Sequence, residues 1–223
     1  MDYRLGGLAE RPTRAFVTLD RGGKINLSLA ESRLNMLTRQ TTVTVTQSTL
    51  PPLPEGVAPT HVLMTQKADQ VYVTERSGRV FRYNTQNLSQ PLLAEEADLL
   101  PDHVELTTFG FLAGESSLVV GGSDGSVNIY FRLAREGSRT GDGFAMVRTR
   151  EFESHLGPVR NFQPTQRDKT FLTVDDEGHI VVRHGTSEST LLNLAAGKEP
   201  FAVLAFAPRA DGILGIRQSG EAT

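Results

Sequence analysis

The 223-residue sequence contains no cysteine and no tryptophan. Without cysteine there is no thiol catalysis, no cysteine-ligated zinc and no disulfide, although the redox compartment stays open. A membrane-spanning helix needs roughly 20 apolar residues. No stretch approaches that, and even LLAEEADLL (92–100) is broken by acids. The opening MDYRLGGLAE has no basic segment leading into an apolar run, so it does not read as a secretory signal, and Met1 is expected not to be a natural start. A basic excess is missing too. With 23 Lys+Arg against 26 Asp+Glu and a net charge of −3, nonspecific nucleic-acid binding lacks the cationic face it requires. There is no G-x-x-x-x-G-K-[ST] or G-x-G-x-x-G phosphate cradle and no interleaving of aromatic with basic residues. What remains is an ordinary soluble composition, with 38% hydrophobic residues, and a chain long enough to bury a core without metal or disulfide staples.

The informative property is self-similarity. FVTLDRGGKINLSL (16–29), VYVTERSGRVFRY (71–83), LVVGGSDGSVNIYF (118–131), FLTVDDEGHIVVRH (171–184) and ILGIRQSGEAT (213–223) align on Gly23, Gly78, Gly125, Gly178 and Gly220, at spacings of 55, 47, 53 and 42 residues. A propeller blade occupies about 40–50 residues. Each copy reads as a β-hairpin: an apolar run, a polar turn ending in the glycine that supplies positive φ, then an alternating run. The second and fourth positions after the glycine share a sheet face. They are Ile25 and Leu27, Val127 and Ile129, Ile180 and Val182, whereas Val80 is followed by Arg82, a departure from the pattern. A further strand precedes each hairpin, in THVLMT (60–65), LTTFGFL (106–112), VRNFQP (159–164) and FAVLAFAP (201–208), with Pro164 and Pro208 closing two of them. The expected fold is all-β, a propeller of about four to five blades in a single domain over residues 1–223. FVTLD (16–20) is a candidate to complete the last, unfinished blade. The weak helical patterns of 30–40 and 94–103 are expected to be connections between blades. Segments 47–59 and 134–143, rich in proline or in charge and glycine, are expected to be mobile loops.

No residue set stands out as an active site. GGSDG (121–125) fits the nucleophile-elbow pattern around Ser123, but a strand follows where the elbow needs a helix. Of the five histidines, His61, His103, His155, His179 and His184, no pair has the i, i+4 spacing of helix-borne metal ligands. His155 is expected to be a hydrogen-bonded structural histidine at the entry to a blade. Asp175, Asp176 and Glu177 form an acidic turn without EF-hand spacing, expected to be a solvated loop. Arg160, Arg167, Lys169 and Arg183 are expected on a mixed-charge surface. Asn26 and Asn87 open formal glycosylation sequons, Asn26 within a strand. The expectation is no catalytic, cofactor-binding or metal-ligating residue. The residues singled out are structural: the turn glycines Gly23, Gly78, Gly125, Gly178 and Gly220.

The repeat resembles the WD40 type, most clearly over 106–131 and 154–184. The signature tryptophan of the last strand is replaced by Ser28, Tyr83, Tyr130 and Arg183. More specifically, GGKINLSL (22–29), HVLMTQKADQVYV (61–73), TQRDKTFLTVDDEGHIVVRHGTSESTLL (165–192) and VLAFAPRADGIL (203–214) are similar to the extra domain of long-form permease subunits of bacterial phosphate ABC transporters. The resemblance spans roughly residues 13–220. It implies a non-enzymatic domain on the periplasmic side of the inner membrane, inserted after the first transmembrane helix and joined to the membrane only through its parent chain. It further implies the rest of the permease and its transporter subunits as partners, with the periplasmic phosphate-binding protein a candidate docking partner, and no cofactor. A fragment lacking a targeting signal and ending inside a strand agrees with such an insertion. The alternatives are a cytoplasmic WD40-type scaffold and a propeller enzyme, the latter requiring His61, His155 or His179 to converge with a carboxylate.

Overall fold

The computed structural model describes residues 2–8, 11–136, 140–195, 201–207, 209 and 211–222, without the side chains of 2–8 and 11–13. The described residues form β-strands and no helix. The chain divides into two compact units, one of Met1–Asp98 with Ala134–Phe144, the other of Leu99–Leu133 with Ala145–Thr223.

The first unit holds two four-stranded antiparallel meanders. Strands β1 (Asp2–Leu8), β2 (Arg11–Leu19), β3 (Ile25–Leu34) and β4 (Thr41–Thr49) form one, and β5 (Pro59–Met64), β6 (Gln70–Glu75), β7 (Arg79–Asn84) and β8 (Leu92–Asp98) the other. In the second unit, β9 (Leu106–Phe111), β10 (Ser117–Gly122), β11 (Val127–Ala134) and β12 (Phe144–Phe152) make a third sheet. Strands β13 (Val159–Pro164), β14 (Thr170–Asp175), β15 (Ile180–His184) and β16 (Thr190–Leu194) make a fourth, and β17 (Phe201–Phe206) with β18 (Ile213–Arg217) a two-stranded fifth. An isolated bridge, Ile216 with Ala222, begins to add to its outer side.

The repeated glycines close the central hairpins. Gly23, Gly78, Gly125, Gly178 and Gly220 have φ of 80, 85, 83, 87 and 90°. Each donates its N–H to the carbonyl three residues earlier, at Asp20, Glu75, Gly122, Asp175 and Arg217, over 2.9–3.1 Å. The glycine is thus the left-handed residue that follows a tight turn. A second repeated device closes the preceding hairpin: Thr65 N donates to Gln70 O, Leu112 N to Ser117 O, Thr165 N to Thr170 O and Ala207 N to Gly212 O, all at 2.9–3.0 Å.

The alternating pattern predicts the burial. Ile25 and Leu27 lie in the core of the first unit with Val71, Val73, Phe81 and Tyr83. In the second unit Val127 and Ile129 pack with Val119, Val159 and Phe171, and Ile180 and Val182 with Leu172 and Leu204. Two of the strands at sheet edges carry the weakest pattern, because one side of each pairs with no strand: every residue of β16 is exposed, as is nearly all of β4.

Several expectations change. FVTL is the C-terminal part of β2, paired on one side with β1 and on the other with β3. An interior strand has no edge left with which to complete another sheet. Residues 30–34 end β3 and 35–40 form its turn into β4, so that span is not a connection between sheets; of 94–103, residues 94–98 lie in β8, and 99–103 belong to the connection from β8 to β9. Residues 47–49 of the 47–59 segment belong to β4. Of 134–143, residues 137–139 lie outside the described residues, and Asp142 is buried in an ion pair. Pro164 ends β13, and Pro208 lies outside the described residues.

Candidate functional site

In the second unit the β14–β15 hairpin gathers the sequence's most suggestive polar residues. Asp175 ends β14 and opens the Gly178 turn, where its Oδ1 accepts the backbone N–H of Glu177 (3.1 Å) and of His179 (2.8 Å). Its Oδ2 lies 3.3 Å from His155 Nδ1 and 3.7 Å from His179 Nδ1. His155 Nε2 is 2.8 Å from Thr173 Oγ1, and Arg183 Nη1 donates to the same hydroxyl oxygen at 2.5 Å. A carboxylate only accepts, so His155 carries its proton on Nδ1 toward Asp175, and the Thr173 hydroxyl donates to Nε2. Burial lowers the His155 pKa, and the Arg183 charge lowers it further against the opposing pull of Asp175. The imidazole is neutral near pH 7. Burial also brings Arg183 down to about 10, with the Glu153 charge opposing, and its Nη2 donates to Glu153 O at 2.8 Å.

Two histidines and a carboxylate therefore converge, as the enzyme alternative requires, with ligand atoms within 4.8 Å of one another. Their chemistry is nevertheless closed. The side chains of His155 and Asp175 are almost wholly buried, and each polar atom of the His155 ring has a protein partner. Arg183 Nη1 stands 3.4 Å from His155 Nε2, a fixed positive charge that opposes a metal cation as it opposes a second imidazole proton. The far side of the half-buried His179 ring is also occupied, with Nε2 2.5 Å from Asn193 Oδ1. The arrangement holds the hairpin to the strand entry at His155, as a structural histidine should. Asp175 and Arg183 depart from expectation: both are buried, Asp175 with its carboxylate on the turn amides and His155, and Arg183 with its guanidinium on Thr173 and the Glu153 carbonyl.

The other sequence candidates stay apart. His61, on β5 of the first unit, has its Nδ1 3.0 Å from Thr60 Oγ1, and burial lowers its pKa. Ser123 is a turn residue whose Oγ accepts from Glu105 N at 2.9 Å. Arg160 reaches Asp176 at 3.8 Å. Lys169 Nζ donates to Ala113 O at 2.5 Å.

In the first unit the structure reveals a cluster that shows in the sequence only as a broken pattern. Arg82 replaces the aliphatic residue that the other copies carry in mid-strand, and its side chain is fully buried. Nε donates to Glu95 Oε2 (2.8 Å), Nη1 to Gln70 Oε1 (3.0 Å) and Asp142 Oδ2 (2.7 Å), and Nη2 to Asp142 Oδ1 (2.9 Å) and Phe144 O (2.7 Å). All the donors of a guanidinium are used. Burial would raise the Asp142 pKa, but the Arg82 hydrogen bonds and charge outweigh it and hold it at about 2. A lone charge in a core-patterned strand was the signal for a buried counter-charge. Its location could not be read, because Asp142 sits in a segment whose composition suggests a loop.

Among the described residues of the second unit, the surface has a sizeable apolar opening. A groove of about 620 Å³ between β15–β16 and β17–β18 is lined by Ile180, Val182, Leu191, Leu192, Leu194, Phe201, Leu204, Phe206 and Ile213, with Asp168 and Asp211 among its polar members. Leu191, Leu192 and Leu194 are exposed. Such an apolar surface suits the binding of an apolar face.

No protein-family model matches the chain, and no curated protein aligns with it. Among solved structures, the β-propeller domain of Myceliophteria thermophila Cps50 (Swd1) is similar, with a TM-score of 0.62 and 10% identity over 99% of this chain and 80% of that one. At that identity the likeness concerns the fold: this chain is an all-β, WD40-like β-propeller.

Proposed function

We propose that the chain is a non-catalytic interaction module: the periplasmic domain of a phosphate ABC transporter permease, which contacts the phosphate-binding protein or another transporter subunit. The observation carrying the interaction reading is a contrast. The convergent polar groups around His155 and Arg82 are buried and bound mostly to one another, whereas the apolar groove beside β17–β18 is open. Water-exposed leucines on a rigid sheet are poised to gain from burial against a partner, at about 25 cal/mol per Å². The transporter assignment rests on the resemblance of 22–29, 61–73, 165–192 and 203–214 to the permease domain.

The test is a binding titration of the chain against the cognate phosphate-binding protein, with and without phosphate, paired with uptake measured after deletion of the domain. Binding that weakens in Leu191→Asp/Leu194→Asp, together with altered uptake, supports the proposal. No binding in either state and unchanged uptake sinks it. A parent reading frame without apolar helices on either side of the domain removes the transporter assignment but leaves the interaction role.

A further inference from the structure

The β3–β4 hairpin ends in side chains that no core uses. Its turn is ordered: Asn35 N donates to Gln40 O at 2.9 Å, and Asn35 Oδ1 accepts from Leu37 N at 3.0 Å and Thr38 N at 3.2 Å. This turn holds Met36 and Leu37 at 81% and 96% exposure, beside Leu34 at 58%. The apolar character continues down one face. In the register Leu34–Thr41, Ser32–Val43 and Ala30–Val45, Leu34, Val43 and Val45 point to the same side, and both valines are exposed. A hairpin end built to meet only water would carry polar residues here.

The charge around this tip has one sign. From Ser32 to Pro54 the chain carries Arg33 and Arg39 and no acid or lysine, although the protein as a whole is at −3. Both arginines are exposed. They lie two or three residues behind Met36 and Leu37, within roughly 10 Å at strand spacing. An apolar tip followed at that depth by guanidinium groups matches the profile of an anionic bilayer. There the acyl boundary lies about 5–10 Å below the surface and the phosphates sit above it. A concave protein pocket would ask for no such basic collar.

We propose that the β3–β4 hairpin docks the protein on anionic membranes, with Leu34, Met36 and Leu37 entering the interface and Arg33 and Arg39 on lipid phosphates. The proposal does not depend on the transporter assignment, since a peripheral protein would dock in the same way.

The experiment is flotation of the full chain with vesicles of phosphatidylcholine alone or mixed with phosphatidylglycerol. Binding is expected on the mixed vesicles, weaker on the zwitterionic ones, and falling as salt is raised. Met36→Asp/Leu37→Asp should lower the partition at least about tenfold. Arg33→Gln/Arg39→Gln should remove the preference for anionic lipid. Both should melt at the wild-type temperature, because the altered side chains are exposed. With no tryptophan in the sequence, Leu37→Trp gives a single reporter whose emission shifts to the blue when the tip enters lipid. The proposal is overturned if the wild type fails to float with anionic vesicles, or if the aspartate variant floats as well as the wild type. It is also overturned if the tip instead mediates self-association without lipid that the aspartate variant disperses.

Discussion

Replacing Asp142 by asparagine keeps the shape of the side chain and removes its charge, leaving Arg82 buried with Glu95 as its remaining anionic partner. The cost can be worked from the carboxyl group itself. Lowering its pKa from 3.8 to about 2 means the folded state favours the ionised form by about 2 kcal/mol. A depressed acid contributes stability that is complete above its unfolded pKa and disappears as pH falls through the folded one. The deficit of D142N should therefore be constant from neutral pH down to about pH 5, shrink below pH 4, and be nearly gone by pH 2. At neutral pH, about 2 kcal/mol corresponds to a melting temperature roughly 4–8 °C lower for a chain of this size. Thermal melts of both proteins across that pH range, with hydrogen exchange read in β7 and β8, provide the measurement. A D142N protein as stable as wild type at pH 7 would refute the reasoning. So would a deficit that persists undiminished at pH 2, which would assign the effect to packing rather than charge.

The tyrosines that stand in place of the signature tryptophan should respond oppositely to loss of the hydroxyl. Tyr83 Oη is buried without a partner among the described residues, and burial raises its pKa to about 12. Tyr130 Oη donates to Leu99 O. In thermal melts Tyr83→Phe should stabilise by about 1 kcal/mol and Tyr130→Phe destabilise by a similar amount. Gly125→Ala should cost more than Gly23→Ala, as read by chemical denaturation. Both strain a positive φ, but a Cβ at 125 would lie 2.3 Å from His155 O, whereas the space at 23 is open. Because the folded protein holds the His155 pKa below its ordinary 6.5, stability should fall as pH drops through 6.5. A His155→Gln variant, though less stable at pH 7, should show a flatter profile between pH 7 and 5.

The parts of the fold that could be read from the sequence are those where one local rule has one outcome. The five glycines were legible because a left-handed turn residue tolerates little else, and the central strands because burial on one face enforces alternation. The outer strands were not: TTVTVTQST and TLLNL face solvent, so nothing imposes a pattern of burial on them. Asp175 and Arg183 looked like surface charges because adjacent charged residues in a turn normally are. Their burial depends on His155 and Thr173, which meet them only after the strands pair. The same holds for Arg82. Its anomaly was visible, yet its partner lies 60 residues away, a distance over which sequence pattern carries no register.

That separation has a kinetic consequence. Strands paired within each sheet are consecutive in the chain, so their contacts close short loops and can form early. The Arg82–Asp142 pair closes a long one, and is expected to form only after the β7–β8 strands and the Ala134–Phe144 excursion are in place. Interactions that form after the folding barrier slow unfolding and leave the folding rate almost untouched. In stopped-flow measurements, D142N should shift the unfolding arm of the chevron and spare the refolding arm. Asp142 thereby governs the lifetime of the assembled first unit rather than the speed of its formation, and a protein exposed to proteases is selected on lifetime.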